Sequence, residues 1–109
     1  MEVNNYPSIS VIVPTYHREA ILLDTLADVL KQDYPNFEVL VIDQTPTHQP
    51  ETEATLEKLA VNEQIRWFRV NWASLPSARN YGVRQSTGAI ILFIDDDVQL
   101  PEGYLKAHA

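Results

Sequence analysis

Residues 88–103 read GAIILFIDDDVQLPEG, an apolar run that leads directly into three consecutive aspartates. The apolar residues 89–94 are mostly aliphatic or β-branched, which predicts a buried β-strand over residues 89–95. Neighbouring carboxylates repel one another and resist burial. A buried strand that delivers Asp95, Asp96 and Asp97 to one point therefore indicates a ligand or an ion at the end of that strand.

Three earlier apolar runs have a similar strand-like composition, and each is followed by a segment with helical spacing. Strands are predicted over residues 9–14 (ISVIVP), 37–43 (FEVLVID) and 65–71 (IRWFRVN), the last with an alternating pattern that indicates one wetter face. Helices are predicted over residues 18–34, 50–62 and 75–88, and another is expected to begin near residue 100. Ser74 and Gly88 are expected to mark the start and the end of the helix over 75–88. This alternation predicts an α/β fold with a mainly parallel sheet of about four strands flanked by helices.

Composition narrows the class of protein. The chain has 109 residues, of which 45% are hydrophobic and 21% charged, as in one ordinary globular domain. A net charge of −7 repels nucleic acid, so no nucleic-acid partner is expected. The sequence has no cysteine, which excludes disulfides and thiolate metal sites. With no signal-peptide pattern and no apolar run long enough to cross a bilayer, we expect a cytoplasmic protein.

The residues that follow each strand are the candidates for function, because parallel sheets bind ligands outside the carboxyl ends of their strands. These residues are Thr15, Tyr16, His17 and Arg18 after the first strand, Asp43, Gln44 and Thr45 after the second, and the three aspartates after the fourth.

Each candidate has a functional and a structural interpretation. The aspartates favour Mn²⁺ or Mg²⁺, which take oxygen ligands and offset the repulsion, over a solvated turn in which one Asp caps the next helix. Asp43 either accepts hydrogen bonds from a ligand or caps its own turn with Thr45, and the spacing does not separate the two. Tyr16 either stacks on a ring of a ligand or packs against the protein. Arg79 either contacts a ligand or points into solvent.

Two other classes of α/β protein fit the sequence less well. A phosphoacceptor receiver domain has an acidic pair after its first strand, where this chain has PTYHRE. A phosphatase of the D-x-D-x-[TV] type begins with that motif, which here comes late and has Gln99 at its fifth position. The sequence has neither a G-x-G-x-x-G nor a G-x-x-x-x-G-K-[ST] loop. The remaining alternatives are a non-catalytic nucleotide-binding module and a metal-dependent, receiver-like domain.

Three blocks in order, ISVIVPTYHR, LKQDYPNFEVLVID and ARNYGVRQSTGAIILFIDDD, resemble the N-terminal half of a family 2 glycosyltransferase with the Rossmann-like GT-A fold. The resemblance implies a domain that binds a nucleotide-diphosphate sugar, most commonly a uridine diphosphate (UDP) sugar, through Mn²⁺ or Mg²⁺. In the full-length protein it implies transfer of the sugar, with inversion, to a sugar, lipid or protein acceptor.

The resemblance also implies roles for individual residues. Six residues would contact the donor nucleotide, namely Pro14, Thr15, Tyr16, Asp43, Arg79 and Asp95. Among them, Tyr16 would lie against the base, and Asp43 would hold the base or its ribose. The metal that bridges the two phosphates would be held by Asp95, Asp96 and Asp97.

The sequence departs from the family pattern at three places. His17 replaces an Asn, and Gln44-Thr45 replaces an acidic residue and a small one. The chain also ends before the acceptor-binding half, which carries the catalytic base and a Q-x-x-R-W element. We therefore expect residues 1–109 to be a single donor-binding subdomain, with the base beyond residue 109. We also expect self-association through the truncation face and, for the full-length protein, a peripheral position at the inner face of a membrane.

Overall fold

Strands and helices alternate along the chain, as the apolar runs predict. The computed structural model describes residues 6–109. The elements are β1 (Ile9–Thr15), α1 (Ala20–Leu30), β2 (Phe37–Asp43), α2 (Pro50–Val61), β3 (Arg66–Arg69), α3 (Leu75–Gln85), β4 (Ile90–Phe93) and α4 (Tyr104–His108). The four strands form one sheet in the order β3-β2-β1-β4, and every pair in it is parallel. The predicted α/β fold is confirmed.

The register of the sheet brings the ends of three strands to one level. Thr15 at the end of β1 pairs with Asp43 at the end of β2, which in turn pairs with Arg69 at the end of β3. On the other side, β4 pairs with β1 only up to Ile12. The chain that leaves β4 therefore passes alongside the last residues of β1, and this places the three aspartates at the carboxyl edge of the sheet.

Helices cover both faces of the sheet, which explains why its inner strands are apolar on both sides. Alternate residues of β1 point to opposite faces. Val11 and Val13 join the larger core, to which α1 and α2 contribute Leu26 and Leu56. Ile12 belongs to the smaller core on the other face, which is covered by α3.

Two glycines allow close packing around β1. A Cβ atom on Gly82 would lie 2.5 Å from Cγ2 of Ile12, so this glycine lets α3 approach the sheet closely. Gly88 does not end α3 as expected, since the helix ends at Gln85 and Ser86 follows in an extended conformation. A Cβ on Gly88 would lie 2.6 Å from the backbone nitrogen of Ser10. Glycine is required at position 88 because the backbone approaches β1 closely there. The sequence spacing did not reveal this contact.

Several elements are shorter than predicted. Strand β4 spans four residues, rather than the seven of the run 89–95, and β3 also spans four. Both are edge strands, and each pairs with a single neighbour over only four residues. Helix α2 is the longest described helix, with 12 residues. Within residues 6–109, no helix combines the length and apolar character needed to cross a membrane.

The amino edge of the sheet is held by the carboxylate of Glu38. It accepts hydrogen bonds from the hydroxyl of Ser10 at 2.6 Å, the backbone N–H of Thr87 at 2.7 Å and the guanidinium of Arg66 at 3.0 Å. Partial burial raises the pKa of Glu38, but these hydrogen bonds outweigh it, and its pKa lies below the ordinary value. This edge lies opposite the carboxyl edge, where the candidate site is found.

Candidate functional site

A continuous cleft with two lobes runs along the carboxyl edge of the sheet. The wide lobe, about 740 Å³, is lined by Tyr16 and by residues 44–46 and 69–73. The acidic lobe, about 490 Å³, is lined by residues 14–16, 73–75 and 95–97, together with Arg18 and Gln44. Tyr16, Gln44 and Ala73 line both lobes. The two lobes can therefore hold two parts of one ligand.

In the acidic lobe, the aspartates lie in the turn that follows β4. Asp95 and Asp97 are exposed, whereas the side chain of Asp96 is only 13% exposed. The guanidinium of Arg18 lies 3.5 Å from a carboxylate oxygen of Asp96 and 3.5 Å from one of Asp97. Both distances are long for ion pairs that are partly open to solvent, so this cation relieves the repulsion only in part.

The carboxylates suit a metal that is shared with a ligand. Among residues 6–109, no three His, Asp or Glu side chains converge as the ligands of one metal ion. Mg²⁺ is commonly bound by one or two carboxylates together with substrate phosphates, and the exposed pair Asp95 and Asp97 fits that arrangement. Thr15 supplies a second observation. Its side chain lines the same lobe and is 2% exposed, yet its Oγ1 has no hydrogen-bond partner within the described chain. A buried hydroxyl without a partner indicates room for a polar ligand group.

The wide lobe has an aromatic and polar lining. Tyr16 is 47% exposed, and the lobe is also lined by Arg69 at the end of β3 and by Asn71 and Trp72 on the segment that follows. Gln44 is held between the lobes by both ends of its amide. Its Nε2 donates to the carbonyl oxygen of Thr15 at 3.4 Å, and its Oε1 accepts from the backbone N–H of Ser74 at 2.6 Å. These two hydrogen bonds fix the orientation of the Gln44 side chain, which lines both lobes.

Asp43 lies behind the cleft, although it ends β2 at the same edge of the sheet. Its side chain is fully buried, and it lines neither lobe. One carboxylate oxygen accepts from the backbone N–H of Thr45 at 3.0 Å. The other faces Nε2 of His48 at 2.5 Å and accepts from the indole N–H of Trp67 at 2.9 Å. Both carboxylate oxygens of Asp43 therefore already accept a hydrogen bond from, or face, a group of the chain.

His48 joins Asp43 to a second carboxylate, a contact that the sequence analysis did not predict. The Nδ1 atom of His48 lies 3.0 Å from Oε2 of Glu19, and the histidine side chain is fully buried. Burial lowers the pKa of His48, but the hydrogen bonds and charges of Asp43 and Glu19 outweigh it, and its pKa lies above the ordinary value. The sequence around His48 does not indicate its partner, because Glu19 lies 29 residues away and meets His48 only in the tertiary fold.

Six of the residues predicted for the site line the acidic lobe together, namely Pro14, Thr15, Tyr16, Asp95, Asp96 and Asp97. Arg79 lies apart from them. It is exposed on α3, with its guanidinium carbon 5.6 Å from the centre of the Phe93 ring, and it lines neither lobe.

Known proteins resemble the chain over most of its length. The family described as "Glycosyl transferase family 2" matches residues 10–109. A β-1,3-glucosyltransferase of Campylobacter jejuni, named for GalNAc(5)-diNAcBac-PP-undecaprenol, is 30% identical over 92% of this chain and 33% of its own length. The poly(ribitol-phosphate) β-N-acetylglucosaminyltransferase TarS of Staphylococcus aureus is 32% identical over 89% of this chain and 17% of its own.

Solved structures give the same result. TarS residues 1–349 in complex with UDP-GlcNAc superpose with a TM-score of 0.78 at 30% identity, covering 93% of this chain and 30% of that one. A mannosyltransferase of Pyrobaculum calidifontis, in complex with GDP-Man and Mn²⁺, gives a TM-score of 0.71 at 28% identity, covering 87% of this chain and 29% of that one.

The chain spans about a third or less of the length of these relatives. The family match nevertheless covers residues 10–109, which is nearly all of the chain. It agrees with the sheet topology and with the order of the sequence blocks. The resemblance seen in the sequence is therefore confirmed, and the chain belongs to glycosyl transferase family 2.

Proposed function

We propose that the two-lobed cleft binds a nucleotide-diphosphate sugar, with a UDP-sugar as the preferred donor, for glycosyl transfer by the whole protein. The observation that carries this proposal is the continuity of the two lobes at the carboxyl edge of the sheet. One lobe has an exposed aromatic ring and hydrogen-bonding side chains, and the other has carboxylates. A nucleoside joined to a diphosphate has the matching order of chemical groups.

The base and ribose occupy the wide lobe in this proposal. Tyr16 offers its ring face to the base, since a base stacks on an aromatic ring whatever its identity. The choice among bases falls to polar groups such as the amide of Asn71, which lies in the same lobe. Asp43 supports the loop that carries Thr45 and makes no contact with the base of its own.

The diphosphate occupies the acidic lobe together with Mn²⁺ or Mg²⁺. Asp95 and Asp97 would hold the metal, with Asp96 beside them, and the metal supplies positive charge between the carboxylates and the phosphates. In this proposal the Thr15 hydroxyl, which has no hydrogen-bond partner within the described chain, donates to a phosphate or ribose oxygen. Arg18, already beside the aspartates, is free to turn toward the phosphates once the metal satisfies Asp97.

Arg79, on α3, is a further candidate for contact with the donor. Its side chain is exposed and lies against Phe93. A long, exposed Arg side chain needs only rotamer changes to reach toward a bound diphosphate. We therefore retain Arg79 as a donor contact that forms on binding.

The acceptor and the catalytic base belong to the whole protein. Inverting transfer needs a base aligned with the acceptor hydroxyl, and we place that base beyond residue 109. The name of the Campylobacter relative describes a lipid-linked substrate, and that of TarS describes a polymer. By analogy, we propose a peripheral position at the inner face of a membrane and an acceptor that is lipid-linked or polymeric. Self-association of the isolated chain is proposed through the truncation face.

Calorimetry with UDP tests the proposal. UDP should bind in the presence of Mn²⁺, and GDP should bind more weakly if the wide lobe selects uracil. Preference for GDP would change the donor class but leave the site intact, whereas no binding of either nucleotide would refute the site. Transfer activity is tested on the whole protein, since release of sugar only on addition of acceptor separates an enzyme from a non-catalytic nucleotide-binding module.

A further inference from the structure

Two of the three segments that line the wide lobe are tied to each other at several points. One loop follows β1 and carries Tyr16, and the other follows β2 and carries residues 44–49. The backbone N–H of His17 donates to Oγ1 of Thr45 at 2.8 Å. The backbone N–H of Gln49 donates to Oε1 of Glu19 at 2.9 Å. The lobe therefore keeps its shape only while the two loops stay together.

His48 lies at the centre of this connection. Its two ring nitrogens face carboxylate oxygens of Asp43 and Glu19, at 2.5 and 3.0 Å. A neutral imidazole has one N–H and can donate to only one of them, whereas the imidazolium donates to both. Because His48 and Asp43 are fully buried, loss of the proton would leave a buried carboxylate without its cation. The geometry therefore matches a charged histidine.

We infer that His48 is a positioning residue for nucleotide binding, which as an imidazolium bridge between Asp43 and Glu19 holds together two of the loops that line the wide lobe. It does not touch the ligand in this account. It acts through Asp43, which accepts a hydrogen bond from the backbone N–H of Thr45. It also acts through Glu19, which lies three residues after Tyr16 in the loop that follows β1. This inference rests on the proposed nucleotide site and adds to it a dependence on the charge of a residue outside the cleft.

The groups around His48 determine the expected effect of pH. Glu19 faces it from the start of α1, and Asp43 faces it from the end of β2. On the far side of these carboxylates, β3 presents the indole N–H of Trp67 to Asp43, and α2 presents the side chain of Thr52 to Glu19. Because the pKa of His48 is raised in the folded protein, the bridge is complete at pH 6 and is lost as pH rises through that pKa. Nucleotide affinity should fall over the same range.

UDP binding measured by calorimetry with Mn²⁺ between pH 6 and pH 9 tests the inference, alongside nuclear magnetic resonance (NMR) titration of the histidine rings without nucleotide. The wild type should lose affinity with the midpoint at which His48 titrates. His48→Gln should bind UDP on the order of tenfold more weakly at pH 6, the lower end of what loss of a supporting hydrogen-bond partner costs in metal sites. Its affinity should then change little with pH beyond the part that is due to UDP and Mn²⁺.

Two further variants make the test specific to His48. Glu19→Gln keeps a polar side chain but removes one charge, so it should lower the titration midpoint of His48 and move the loss of affinity to lower pH. His17 is the matched control, because its ring contacts that of Tyr16, with ring centres 4.1 Å apart and ring planes tilted by 58°. His17→Asn tolerates the positive φ of 56° at this position and should retain the wild-type pH profile.

The NMR titration separates failure of this inference from failure of the proposed function. If the wild type binds no UDP at pH 6, the proposed donor site fails, while the link between His48 and the loops is still tested by the amide signals of Thr45 and Gln49. Those signals should follow the titration of His48. A His48 that is neutral at pH 6, loop signals that do not follow it, or a wild-type profile equal to that of folded His48→Gln would overturn the inference.

Discussion

The hydroxyl oxygen of Thr25, on α1, lies 3.1 Å from the carbonyl oxygens of both Asp96 and Val98. Thr25 is buried, so this contact fixes the turn that carries the three aspartates against a helix of the larger core. The position of the carboxylates in the acidic lobe therefore depends on a residue that does not touch the ligand.

Replacement of Thr25 by Val tests this dependence. Val has a similar shape but cannot donate a hydrogen bond, and leaving a buried carbonyl group without its donor typically costs about 1–3 kcal/mol. We expect Thr25→Val to lower the free energy of unfolding by an amount in this range and to weaken Mn²⁺-dependent UDP binding. Thr25→Ser retains the hydroxyl and should restore binding. Denaturant unfolding and calorimetry measure the two effects, and unchanged UDP binding by Thr25→Val would contradict the role.

Removal of the Tyr16 ring tests the base contact. Stacking of a base on an aromatic ring is worth about 1–3 kcal/mol, so Tyr16→Ala should weaken UDP binding by a comparable amount. Tyr16→Phe keeps the ring and should bind nearly as well as the wild type. Tyr6→Ala is a matched control, because Tyr6 is also exposed and packs on Tyr34, away from the cleft. Equal affinities of Tyr16→Ala and the wild type would remove Tyr16 from the site.

The close packing of α3 on β1 gives a stability prediction. At an ordinary exposed helical position, replacement of Gly by Ala gains up to about 1 kcal/mol. At Gly82 the added Cβ meets the Ile12 side chain, and overpacking of this kind costs about 1–3 kcal/mol. We therefore expect Gly82→Ala to unfold at lower denaturant concentration than the wild type, whereas Asn80→Ala on the exposed side of α3 should not. Greater stability of Gly82→Ala would show that α3 can move outward without cost.

Glu38 predicts how stability changes in acid. Its pKa is lowered in the folded protein, because hydrogen bonds from Ser10, Thr87 and Arg66 outweigh burial. Its contribution to stability is therefore present above the pKa of an unfolded glutamate, about 4.3, and is lost as pH falls through the lower folded value. Glu38→Gln should flatten the acid side of the stability curve, and Glu57→Gln, at an exposed position of α2, should leave it unchanged. Unfolding curves between pH 2 and pH 7 decide the matter.

The sequence predicted the features that depend on local pattern. Alternating apolar runs gave the four strands and their helices, and the rule for parallel sheets placed Tyr16 and the three aspartates on the same edge. The Ser74 cap was also local, and its Oγ accepts a hydrogen bond from the backbone N–H of Ser77.

Features created by tertiary contact were not predictable in the same way. Asp43 follows a strand just as the other site residues do, but its side chain bonds to Trp67, 24 residues away in the sequence, and to His48, which is itself held by Glu19. Gly88 looked like a helix end because helices often end at glycine, whereas its actual constraint is the backbone of Ser10. Periodicity identifies the strands, the helices and the carboxyl edge of the sheet. It does not identify which polar groups form hydrogen bonds with each other.

Asp97→Asn separates the contribution of the metal from that of the fold. Asp97 is partly exposed, and its contact with Arg18 is long, so the substitution should change the free energy of unfolding of the nucleotide-free protein by no more than about 0.5 kcal/mol. Relief of repulsion among the three carboxylates should offset the loss of that contact. The same substitution should abolish the Mn²⁺-dependent part of UDP binding. A large loss of stability without nucleotide would instead assign Asp97 a structural role.

Thermal unfolding tests whether UDP binds to the three aspartates through a metal. The melting temperature of the wild-type chain is measured alone, with UDP, with Mn²⁺, and with both. A ligand at 100 times its dissociation constant stabilises the folded state by about 2.7 kcal/mol, which raises the melting temperature of a domain of this size by several degrees. We predict this increase only when UDP and Mn²⁺ are both present, and its loss on addition of a chelator. An equal increase from UDP in the presence of the chelator would contradict the claim that the three aspartates bind the diphosphate through a metal.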